Sequence, residues 1–247
     1  MTTVAVLTLV TSVASAASIY SSDFEAPEYS VGDVDGQGGG EAGWLGPWVN
    51  IYTKTANVSN ADANGGTQSL EFISSGGGGS DRVAYYRNHP IAEAGSSKTV
   101  SMKFDLNLAS LENGSFIIYG LDTTNAVGPE ITLVHSGSNS FVDVFRRDGA
   151  SSTDSGVDVT GGEWHTFELV SDMATSTYSW SVDGVVQETG LGFRSSPAGL
   201  ERVRFWSTYN NGVSYLDNVV VTAIPEPSTI ALMGMIGVLG FVAYRRK

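Results

Sequence analysis

Catalysis needs nucleophiles, bases or paired carboxylates at spacings that let them meet. Retaining glycosidic chemistry uses two carboxyl groups about 5–5.5 Å apart, which a β-strand supplies at spacings of two or four. The nearest approach in this chain is Glu163 and Glu168, whose odd spacing sends them to opposite faces. Three histidines, His89, His135 and His165, stand in unrelated segments, and none has a partner at metal-ligand spacing. His165 alternates with Phe167 and Leu169 and is expected on the buried side of a strand. The glycine run Gly76–Gly79 lacks the Lys-Ser or Lys-Thr partner of a phosphate loop, and the chain has no cysteine. A non-catalytic protein is expected; lyase chemistry by Tyr and Arg is the exception this pattern leaves open.

Binding residues are easier to place. In the segment Glu201–Tyr209, Val203 and Phe205 fall on one face, while Arg202, Arg204 and Trp206 fall on the other. An aromatic ring beside two guanidiniums can stack a sugar and hydrogen-bond its hydroxyls. The alternative is that Trp206 fills its own sheet's face while the arginines pair with surplus acids. Trp44 and Trp48, in a glycine-rich loop, are further candidates for carbohydrate binding. From Val213 to Val221 the odd positions read Val, Tyr, Asp217, Val, Val. A carboxylate on an apolar face is costly unless hydrogen-bonded or paired with a cation. Glu25 and Asp23 share one face of an early strand, opposite Phe24.

The elements that must carry these groups are strands. From Thr99 to Leu108 the apolar residues fall at Val100, Met102, Phe104, Leu106 and Leu108, a strict period of two. Tyr178, Trp180 and Val182 repeat it, and similar runs recur between Trp48 and Thr222, separated by Gly, Ser, Asn and Asp clusters. No segment of 17–224 has the 3.6-residue period of a helix. The reading is all-β: one two-sheet antiparallel sandwich over 17–224.

The net charge is −13. Setting aside Glu226 and the three terminal cations leaves 25 acidic against 10 basic residues, a net −15. Such a field argues against nucleic acid as a partner and suits neutral polysaccharide, cations or bound metal.

Both ends read as address labels. Residues 1–16 form an apolar run closing on Ala14-Ser15-Ala16, a small-x-small signal-peptidase site, expected to be a signal helix handled by the secretion translocon. Pro225-Glu226-Pro227 precedes an apolar run without charge, then Arg245-Arg246-Lys247. The charge-free core of that run, 15 residues, would make a helix of roughly 22 Å, and flanking residues over about 229–244 bring it nearer a ~30 Å hydrocarbon core. The basic end should stay cytoplasmic, leaving the sandwich outside.

This order of motif, span and basic cluster resembles the PEP-CTERM sorting signal of exported bacterial proteins. The resemblance implies an inner-membrane stage, removal of the tail by exosortase, and release to the envelope or extracellular matrix. Gly161-Gly162-Glu163-Trp164-His165, leading to Tyr178-Ser179-Trp180-Ser181-Val182-Asp183-Gly184, resembles the concanavalin A-like (laminin G-like) sandwich. The laminarinase-type signature Glu-x-Asp-x-(x)-Glu of glycosidases on that sandwich is absent. Asp23-Phe24-Glu25 and Tyr215-Leu216-Asp217-Asn218-Val219 resemble the terminal strands of jelly-roll carbohydrate-binding modules. That resemblance implies a structural calcium ion held by Glu25 and Asp217. The expected function is polysaccharide binding, or a place in an exopolysaccharide matrix. The alternatives are a structural or adhesin component without a sugar site, and a divergent glycan lyase or hydrolase.

Overall fold

A computed structural model describes residues 17–224 apart from 42–43, 53, 76–81, 90–98, 111–113, 136–139 and 209–210. The expected signal helix at 1–16 and the expected membrane helix at 229–244 lie outside the described residues. Among those residues every regular element is a strand, and no helix is long and apolar enough to cross a membrane.

Two antiparallel sheets pack face to face. The first runs in the order β14 (Val185–Gly192), β13 (Thr177–Val182), β12 (Trp164–Asp172), β7 (Thr99–Ser110), β16 (Asn211–Ile224), β5 (Ser69–Ser75), β4 (Ala56–Ser59) and β2 (Gly32–Asp33). β1 (Ala17–Ser22) pairs with the distal half of β16, Ala17 opposite Ala223. The second sheet runs β11 (Ser151–Thr160), β10 (Phe141–Asp148), β9 (Val127–His135), β8 (Gly114–Leu121), β15 (Arg202–Ser207), β6 (Val83–Asn88) and β3 (Val49–Asn50). The first and last described strands are therefore neighbours, and the chain enters and leaves the sandwich at one place.

The core follows from the alternation. Val100, Met102, Phe104, Leu106 and Leu108 of β7 are all buried, as are Phe167 and Leu169 of β12 and Tyr178, Trp180 and Val182 of β13. Phe104 links the two layers: it stacks on Phe167 at 5.7 Å and meets Phe205 of β15 edge-on at 5.2 Å. Such pairs contribute about 0.5–1.5 kcal/mol each beyond the area they bury.

Three sequence expectations are corrected. Trp44 and Trp48 belong to the core, with Trp48 fully enclosed. Their partner is Arg87, itself 0% exposed, whose guanidinium lies 4.5 Å from the Trp44 ring. Arg87 bonds to Glu41, to the Tyr29 hydroxyl and to the carbonyls of Gly38 and Gly46. These indoles cover an internal cation and offer no ring to a sugar. The third correction concerns Asp217. The register of β16 slips between Asp217 and Val220, with Asn218 at φ 49°. This bulge reverses the facing, as an extra residue in a two-residue period must. Val219 and Val221 point into the core, whereas Asp217 joins Tyr215 on the outer face, opposite Asp105.

Candidate functional site

The outer face of the second sheet collects the groups able to meet a ligand. β15 lies between β8 and β6, with Arg204 opposite Tyr119 on one side and Tyr86 on the other. Tyr119 in turn faces Glu130 of β9. Tyr86, Arg204, Tyr119 and Glu130 thus form one rung across four strands, each step about 4.7–4.9 Å. The next rung carries Trp206 beside Ala84 and Ile117. Val203 and Phe205, on either side of Arg204 in sequence, are buried in the core.

The arginines on this face rest on aromatic rings. Arg204 Cζ lies 4.7 Å from the Tyr119 ring and 5.8 Å from Trp206. Arg202 Cζ lies 4.8 Å from Tyr86, and Arg82 Cζ 5.3 Å from Trp206. Tyr52, partly exposed, stacks near Trp206 at 5.6 Å and 31°. Arg202 donates to the side-chain oxygens of Asn88 and Asn125. Among the described residues no carboxylate pairs with Arg82, Arg202 or Arg204. The alternative holds in one half: Trp206 packs on the Tyr119, Leu121 and Val127 cluster of its own sheet's face, while among the described residues no acid neutralises Arg202 or Arg204. Burial, reinforced by the neighbouring charges of Arg194 and Arg202, pulls the Arg204 pKa down from its ordinary value. Arg204 Nε and Trp206 Nε1 are enclosed without a hydrogen-bond partner.

Glu130 is held fast. It is 3% exposed and bridges Arg147 at 3.1 Å and Arg194 at 2.8 Å. Tyr119 is pushed up to about 12, chiefly by burial and then by Glu130, so its hydroxyl stays protonated. The carboxylate, already bonded by two guanidiniums, and the protonated phenol can both orient a ligand. The histidines lie elsewhere. His89 is enclosed between Tyr20 and Trp44, and burial lowers it to about 3. His135 is buried. His165 bonds Asp183 at 2.8 Å and the Thr160 carbonyl. A cavity of about 180 Å³ lies on the other sheet, lined by Thr99, Val170, Asp172, Thr177 and Tyr178 among others, and is smaller than the ~300 Å³ of a small-molecule pocket.

The carboxylates expected to hold calcium sit under the 60–68 loop, outside the first sheet. Asp217, 1% exposed, accepts the N–H groups of Asn64 and Asn218 at 2.9 and 2.8 Å. Asp105 accepts from Asn64, Asn218 and Thr166. Glu25 accepts the Thr67 and Gln68 N–H groups and the Thr67 hydroxyl. Burial opposes its charge, yet those donors hold its pKa below the ordinary glutamate value. Asp217 goes the other way, to about 7: burial outweighs its two N–H bonds, and Asp105 and Glu25 add repulsion. Among the described residues no group of three carboxylate or imidazole side chains is close enough to hold a metal ion.

Tyr119, Tyr86, Glu130 and Arg194 escaped the sequence reading. Tyr119 alternates correctly with Ile117, but nothing in the chain says that β8 lies beside β15.

The architecture is that of a jelly-roll β-sandwich, the class shared by many carbohydrate-active and carbohydrate-binding domains. A structure of the endo-acting O-glycanases of human gut microbiota superimposes with a TM-score of 0.55 and 10% identity, over 85% of this chain and 100% of that one. The endo-1,3-β-glucanase of Streptomyces sioyaensis gives 0.52 and 11%, over 88% and 99%. A sialidase gives 0.52 and 16% over 72% of this chain, which spans only 17% of the sialidase. At such identities the likeness is one of fold. No curated protein matches the sequence. Residues 223–247 match the PEP-CTERM protein-sorting motif. The protein carries that C-terminal sorting signal of exported proteins, and the signal implies exosortase as its processing partner.

Proposed function

We propose that this is a non-catalytic polysaccharide-binding protein of the exopolysaccharide matrix, sorted by exosortase. The observation that carries the reading is the second sheet's outer face, where Trp206, Tyr86, Arg202 and Arg204 lie together on adjacent strands. Aromatic rings stack sugar faces and guanidiniums bond hydroxyls, while the Glu130 carboxylate is taken up by Arg147 and Arg194. Residues 1–16 serve as the signal peptide, 229–244 as a span in the inner membrane, and 245–247 as its cytoplasmic end. Because Ala17 pairs with Ala223, both junctions leave the sandwich together, and the domain is carried outside the membrane until the tail is removed. A hard cation such as Ca²⁺ suits the acids beside the 60–68 loop, with buried Asp217 and partly exposed Glu25 as oxygen donors that it would partly neutralise.

The test is binding of the full-length protein in detergent to a panel of polysaccharides, beside Trp206→Ala. The expected result is saturable binding weakened about tenfold or more by loss of the indole, without release of reducing or unsaturated sugar ends. Undiminished binding by Trp206→Ala would place the site elsewhere. Release of such ends would make the protein an enzyme.

A further inference from the structure

The acid excess of the whole chain favours a neutral or cationic ligand, but the charge is unevenly placed. Of the ten Lys and Arg residues between 17 and 224, five gather around one face: Arg82, Arg147, Arg194, Arg202 and Arg204. Glu130 occupies two of them. The other three have no carboxylate partner among the described residues, although acids outnumber bases more than two to one. If ion pairing had been decided by abundance, these would have been the first cations neutralised. They rest instead on Tyr86, Tyr119 and Trp206, within 4.7–5.3 Å of the ring centres. A ring holds the guanidinium plane in position; Arg202 spends Nε and one Nη donor on Asn88 and Asn125, and its remaining N–H groups are left for an anion.

We infer that this face binds a carboxylate-bearing polysaccharide, a polyuronate. Arg202, Arg204 and Arg82 meet its carboxylates, while Trp206 and Tyr86 meet its ring faces. Guanidinium–carboxylate recognition is planar and two-pronged; Arg202 and Arg204 stand two residues apart on β15 and Arg82 just before the adjacent β6, which suits charges repeated along a chain. The surrounding acids then work for selectivity, repelling polyanions too bulky to confine their charge to this strip. The inference rests on the polysaccharide-binding reading above and narrows it.

Affinity electrophoresis of the full-length protein in detergent tests it with four probes: polygalacturonate, its methyl ester, a neutral β-1,3-glucan and duplex DNA. The ester keeps the backbone and removes the charge. The free acid should bind at least about tenfold tighter than the ester, and Arg202→Ala and Arg204→Ala should each remove about tenfold of that advantage. Arg202 is half-buried and its variant keeps the fold readable if Arg204→Ala does not; thermal melting reports which case holds. Equal affinity for acid and ester would overturn the polyuronate inference and leave polysaccharide binding standing. Binding to none of the glycans would overturn both. Binding to DNA as tight as to polygalacturonate would reduce the face to a general polyanion surface and overturn the inference.

Discussion

Asp217→Asn probes the joint where β16 meets the 60–68 loop. In the folded protein the Asp217 carboxyl titrates near 7, against about 3.9 in an unfolded chain. A folded pKa raised above the unfolded one means that the native state holds the proton more tightly. Stability is complete below about pH 4 and is lost as pH rises through 7. Three units correspond to ~4 kcal/mol, and about half of that after screening by water near the loop. For a domain of this size ~2 kcal/mol shifts the melting midpoint by roughly 4–8 °C. The assay is the difference in midpoint between wild type and Asp217→Asn from pH 4 to 8, in chelator. The wild type should lose ground to the variant by that amount as pH rises, because asparagine stays neutral throughout. A pH-independent difference would refute the argument that Asp217 is a buried, uncompensated acid. Added Ca²⁺ should restore the wild-type midpoint at pH 8 and leave the variant unmoved; if it moves neither, Glu25 and Asp217 are not its ligands.

His89 supplies the acid limb. Its folded pKa of about 3 lies below the ordinary 6.5, so its stabilising neutrality is complete above 6.5 and lost as pH falls. At pH 5 the loss is about 2 kcal/mol, and His89→Phe should remove it in melts between pH 4.5 and 7. Trp48→Ala should cost about 3–5 kcal/mol in denaturant unfolding while leaving glycan affinity per folded molecule unchanged; reduced affinity would return Trp48 to the binding site. Arg87→Ala strands Glu41 and should cost about 3–5 kcal/mol, read as a lower denaturation midpoint. Replacing Pro225, Glu226 and Pro227 by alanine should leave the tail attached in a host with exosortase, seen as the larger, membrane-bound band on an immunoblot.

Strands were legible wherever one face is wet and the other dry. β7, β12, β13 and β15 show the alternation, and Val203 and Phe205 lie inward as it requires. Trp44 and Trp48 misled because a tryptophan in a glycine-rich loop carries no period to reveal its facing. The buried cation they cover, Arg87, belongs to β6, some 40 residues later. Asp217 misled for a different reason. A bulge adds one residue to a two-residue period, and only pairing against β7 exposes the slip at Asn218.

The amino-acid order alone was enough for the sorting tail, because that signal is linear: a tripeptide, an apolar run and a basic end are read in sequence. It was also enough for the all-β class, since period two is a local consequence of strand geometry. The binding face needed the fold. Tyr86, Tyr119, Glu130 and Arg204 come from four strands of which only β8 and β9 are consecutive in sequence, brought onto one rung by sheet order 9-8-15-6. Local alternation says which side of a strand a residue takes, whereas only strand order says which residues share that side.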